Sequence, residues 1–135
     1  MLNNMTEISK RMKIVMIINI IVAFIYGFFY LIIPEAYSKL IDAPNYDPGM
    51  WQIFGGTLLI LGIFGLIALK KNEWEYFKIL VEFVILWDTM VLIINIVGLF
   101  TIPSSAVNMA NALVAIILLI VLIILWIYSY LQEEK

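Results

Sequence analysis

The chain has 135 residues, 64% of them hydrophobic and 13% charged, and its mean hydropathy is +1.06. Soluble domains are about half apolar and about a quarter charged, and a small domain keeps much of its surface wet, so this composition belongs to a membrane protein. A net charge of -2 without histidine or cysteine excludes a basic surface for nucleic acid, disulfides, thiolate catalysis and nearly all zinc or haem ligation.

A hydrocarbon core of ~30 Å takes about 20 helical residues, and four stretches reach that length. The first, residues 14–33, follows Lys10, Arg11 and Lys13 and is ended by Pro34. Its apolar run exceeds a signal-peptide core, and "PEAYSK" has no A-x-A arrangement of small residues, so it is expected to be a retained span. The loop "PEAYSKLIDAPNYDPG" comes next. Pro34 is predicted to start a short helix with Tyr37, Leu40 and Ile41 resting on lipid headgroups. Asp47 is predicted to cap the second span, with Pro48 in its first position. This segment is either a plain connector or a lid over an outward-facing cavity.

The second span, residues 51–69, reads "WQIFGGTLLILGIFGLIAL". Gly55 and Gly62 share a face seven residues apart, and with Gly56 and Gly65 they allow close backbone approach, either within the chain or at a dimer seam. The third span covers residues 76–98 and the fourth residues 106–130. None alternates apolar with polar as a barrel strand does. The fold class expected is all-α: an integral membrane protein of one domain, residues 1–135, with four transmembrane helices in an antiparallel bundle.

Seven of the eight basic residues lie near the termini or in the loop between spans two and three, and only Lys39 lies opposite. The positive-inside rule therefore predicts a multi-pass cell-membrane protein with both termini cytoplasmic. Tyr30, Tyr37, Tyr46 and Trp51 are expected at the outer interface. Trp74, Tyr76, Trp126, Tyr128 and Tyr130 are expected at the inner one. Trp87 falls near the midplane instead.

Asp88, beside Trp87, is also near the midplane, where an Asp costs about 2.5–3.5 kcal/mol on insertion scales. A carboxylic acid held neutral there donates one hydrogen bond and accepts others, and Tyr26 stands at the same depth. Asn19 and Tyr26 share a face of the first span, Asp88 and Asn95 a face of the third, and Asn108, Asn111, Ala112 and Ala115 a stripe on the fourth. Glu82 lies about 120° from Asp88 around the helix and is expected to pair with Lys78 near the surface. For Asp88 three roles stay open: a clasp between spans one and three, a ligand-contacting acid, and a proton carrier.

The stretch "YGFFYLIIPEAYSKLI", then "WQIFGGTLLILGIFG", then an acid inside the third span, resembles the DoxX-like group of small four-helix membrane proteins. In that group a glycine-aromatic stretch leads to a proline ending helix one, and a Trp-x-x-x-Gly opens helix two. Gly27, Pro34, Trp51, Gly55 and Gly62 carry the resemblance, which covers the first three spans. It implies the four-helix fold and an association with oxidative-stress defence or quinone-linked sulfur oxidation. Without cysteine, this chain has no thiol redox chemistry of its own.

The expected function is a non-enzymatic protein that holds a lipid, quinone or other apolar small molecule inside the bundle, since no nucleophile-base pair is legible. Asp88, Tyr26, Trp87 and Asn95 would line the site, supported by Asn19 and Asn111, with no metal and no cofactor beyond a bound lipid or quinone. The alternatives are an accessory subunit of a membrane redox complex, docked through the glycine face of span two, and a small proton-coupled transporter. Expected partners are the bilayer and either a membrane protein or further copies of the chain, but not nucleic acid.

Overall fold

A computed structural model describes residues 6–135. Five helices follow one another: α1 (Lys10–Leu31), α2 (Pro34–Leu40), α3 (Pro48–Lys71), α4 (Trp74–Thr101) and α5 (Ala106–Glu133). All but α2 are long and apolar enough to cross a membrane. This arrangement is compatible with a multi-pass membrane protein.

The helices outrun the apolar stretches that reveal them because polar caps extend their ends. Ser9 accepts from Met12 N at 3.1 Å and starts α1 four residues before the apolar run. Asp47 accepts from Met50 N at 3.0 Å, with Pro48 in the first turn, as the sequence predicts. Asn72, at φ 55°, closes α3 in the left-handed conformation that asparagine tolerates. Ser105 caps α5 by accepting from Asn108 N at 3.2 Å.

α1 and α3 make the closest pair, and glycine is the reason. A Cβ at Gly55 would lie 2.5 Å from the backbone nitrogen of Leu31, and one at Gly65 would lie 2.7 Å from the Ile20 side chain. Gly27 faces Leu59 and Gly55, and Gly62 faces Phe24, so contacts climb one helix as they descend the other. Gly56 meets nothing within 4 Å. Gly55, Gly62 and Gly65 thus pack against α1.

The core lies towards the end of the bundle that carries the N-terminal segment and the C-terminus. Met12, Met16, Phe77, Val81 and Trp126 are its most buried members, with Ile8 and Trp74 closing it. Trp74 and Trp126 are therefore core residues, contrary to their expected place as lipid-interface anchors. Their flat rings fill the space between helices, whereas Tyr76 and Tyr128 stay exposed beneath the cations of Lys71 and Arg11.

Chain ends tie this region together. Trp74 N donates to Thr6 O at 3.0 Å, and Ser9 N donates to Glu133 Oε1 at 3.2 Å. Glu134 accepts from Trp74 Nε1 at 2.8 Å and pairs with Lys78 at 2.9 Å. The Lys78 ammonium, then the Trp74 indole, hold the Glu134 carboxyl below the usual carboxylate range. The expected Glu82–Lys78 pair is not formed, because Lys78 is engaged by Glu134, and Glu82 instead accepts from the Tyr130 hydroxyl at 2.6 Å.

At the opposite end, Tyr37 and Ile41 of the α2 segment are buried and only Leu40 faces outward. The expectation that all three rest on lipid is corrected. The rings of Phe29, Tyr30 and Trp51 surround Tyr37 at centroid distances of 4.9, 5.4 and 6.0 Å, an apolar environment better packed than headgroups.

Candidate functional site

Between the core and α2 the four long helices border a partly open cavity of about 120 Å³. Asn19, Tyr26, Trp87, Asp88, Asn95 and Asn111, the six residues singled out from sequence, all line it. α1 contributes Asn19, Ala23, Tyr26 and Tyr30, and α4 contributes Val84, Trp87, Asp88, Val91 and Asn95. α5 adds Asn111 and Ala115, while α3 gives an apolar wall of Phe54, Leu58 and Leu61. The volume exceeds several times over the roughly 10–15 Å³ of probe space that one water requires.

The polar lining is unevenly satisfied. Asn95 Nδ2 donates to its own helix at Val91 O, 2.8 Å away. Asn111 Oδ1 accepts from the Tyr37 hydroxyl at 3.4 Å, linking α5 to α2. Burial pushes that phenol up to about 12, so it remains a donor throughout the neutral range. Asn108, placed by its spacing on the same inward stripe, instead donates to Ile41 O at 3.2 Å, and Ala112 does not line the cavity.

Asp88 is the exception. Only 7% of it is exposed, and Oδ2 is buried with no hydrogen-bond partner. The hydrogen bond to Tyr26 suggested by their common depth is not formed, although both line the same space. A buried acceptor left unpaired costs about 1–3 kcal/mol. As a helix-to-helix clasp, Asp88 would need the partner that is missing here.

Aromatic rings make the other wall. Tyr30 meets Phe54 edge-on at 5.0 Å, and Phe54 stacks on Trp87 at 6.1 Å, joining α1, α3 and α4 around Asp88. Tyr26 stacks on Tyr30 at 6.4 Å, and Trp51 continues the series at 4.8 Å from Tyr30 towards the loop end. Phe54, Leu58 and Leu61 were not foreseen, since Thr57, the polar side chain inside the second span, donates to its own helix at Ile53 O and does not mark the inward face. Tyr30 was expected at the membrane interface and lines the cavity as well.

Among the described residues no group of three or more His, Cys, Asp or Glu is placed to hold a metal ion. The arrangement puts one carboxyl, several amides and four aromatic side chains on the lining of one space. Compared with known proteins, the chain matches no family model, no curated protein and no solved structure.

Proposed function

We propose that this is a small DoxX-like membrane protein that binds an apolar or amphipathic small molecule, such as a lipid or quinone, in the cavity beside Asp88. One observation carries the reading: Asp88, whose carboxyl has a buried oxygen without a partner, lines a space bordered by aromatic rings and amides. In hydrocarbon an intramembrane acid is expensive, and use at a site explains its retention better than packing does. The ligand's polar end would meet Asp88, with its apolar body against Tyr26, Phe54 and Trp87.

The DoxX-like part of the proposal rests on Gly27, Pro34, Trp51, Gly55 and Gly62. Two of these, Gly27 and Gly55, lie at the close approach of α1 and α3, which gives the pattern a packing rationale. The basic residues near the termini support a cytoplasmic orientation for that end.

Native mass spectrometry of gently solubilised protein tests the binding reading. Wild type is expected to carry an extra small-molecule mass that Asp88→Asn loses. Wild type and variant both bare after extraction from native membranes, without loss of fold, would count against a resident ligand.

A further inference from the structure

We infer that the occupant of this cavity is a monocation, an amphiphile with an ammonium head and an apolar body. The inference rests on the binding reading above and narrows its ligand class. It starts from charge. Among the described residues Asp88 is the only carboxylic acid lining the cavity, and no lysine or arginine lines it. The basic residues closest to it in sequence are at helix ends, and on its own helix Lys78 is already paired with Glu134. An ionised Asp88 therefore has no counter-charge from the protein, and one positive charge would neutralise it.

The walls favour the same ligand. Tyr26, Tyr30, Phe54 and Trp87 line the same space as the carboxyl, and aromatic rings attract cations through the ring quadrupole, tryptophan most strongly. An N–H on the ammonium would give the Asp88 carboxyl, which has no hydrogen-bond partner on its buried oxygen, a charged donor. Leu58, Leu61, Leu118 and Leu119 offer hydrocarbon for the apolar body. Anionic headgroups are disfavoured, because a phosphate would meet the carboxyl with no cation to hold either.

A matched pair of probes separates charge from hydrogen bonding. 4-Phenylbutylamine, protonated at neutral pH, and 4-phenylbutanol share an apolar body and both donate hydrogen bonds. Each would be titrated by equilibrium dialysis against the full chain in phosphatidylcholine nanodiscs, with empty nanodiscs subtracted. The amine is expected to bind at least about tenfold more tightly than the alcohol. Asp88→Asn should erase that preference while keeping alcohol binding, and Trp87→Leu should reduce it. Equal binding of both probes to wild type would overturn the cation assignment and leave the apolar-ligand reading standing. Binding of neither would overturn both. The wild-type comparison decides by itself, so a variant that fails to fold does not shelter the proposal.

Discussion

Asp88 sets a buried, unpaired carboxyl oxygen against the stability of its own fold. Oδ2 lacks a partner, so removing the acid takes away a desolvation penalty, and the cavity has room for a hydrocarbon replacement. Asp88→Leu is expected to stabilise the protein by about 1–3 kcal/mol in denaturant titrations in detergent, and to abolish ligand carriage. A loss of stability would instead identify Asp88 as a clasp. The residue scale is also where sequence says most in a membrane. Asn19, Tyr26, Asp88, Asn95 and Asn111 are polar in hydrocarbon, so they must turn towards protein, and their seven-residue spacings show which of them turn together. Phe54 and Leu58 carry no such mark. Lipid and protein interior are equally apolar, and neither composition nor period tells one from the other.

At the scale of elements, α1 and α3 behave as one unit because glycine removes side-chain bulk between them. Gly55 and Gly56 give a sharp contrast at adjacent positions. Gly55→Ala pushes a methyl group against the backbone of Tyr30 and Leu31 and is expected to cost at least about 1–3 kcal/mol. Gly56→Ala points into open space and should be neutral or gain up to about 1 kcal/mol of helix propensity. Thermal unfolding followed by helical circular dichroism measures both, and equal effects would show that the two helices do not pack as described. The four long helices were legible from length and hydropathy, and the Asp47–Pro48 start of α3 from turn chemistry. The inward turn of Tyr37 was not legible, because a tyrosine near a helix end suits either an interface or an aromatic cluster. Its ring neighbours, Phe29, Tyr30 and Trp51, come from two other helices. The ties of Glu134 to Trp74 and Lys78 were equally hidden, since they join residues 56 or more positions apart.

On the scale of the whole molecule, the two ends are built differently. One holds seven of the eight basic residues, the packed core and the ties among chain ends; the other holds α2 with Lys39 and the aromatic series leading to the cavity. The chain lacks cysteine, so single engineered thiols report orientation without background. Ala36 and Glu75 are exposed and lie at opposite ends. In intact cells, Ala36→Cys is expected to react with a membrane-impermeant maleimide, and Glu75→Cys only after permeabilisation. The reverse pattern would place the termini outside.

The packed core has a kinetic consequence. Below Val84 and Leu122 the interior is filled by Met12, Met16, Phe77, Val81 and Trp126, several of them fully buried. A guest of the proposed site would have to prise apart this best-packed part of the protein to leave through the end that carries the C-terminus.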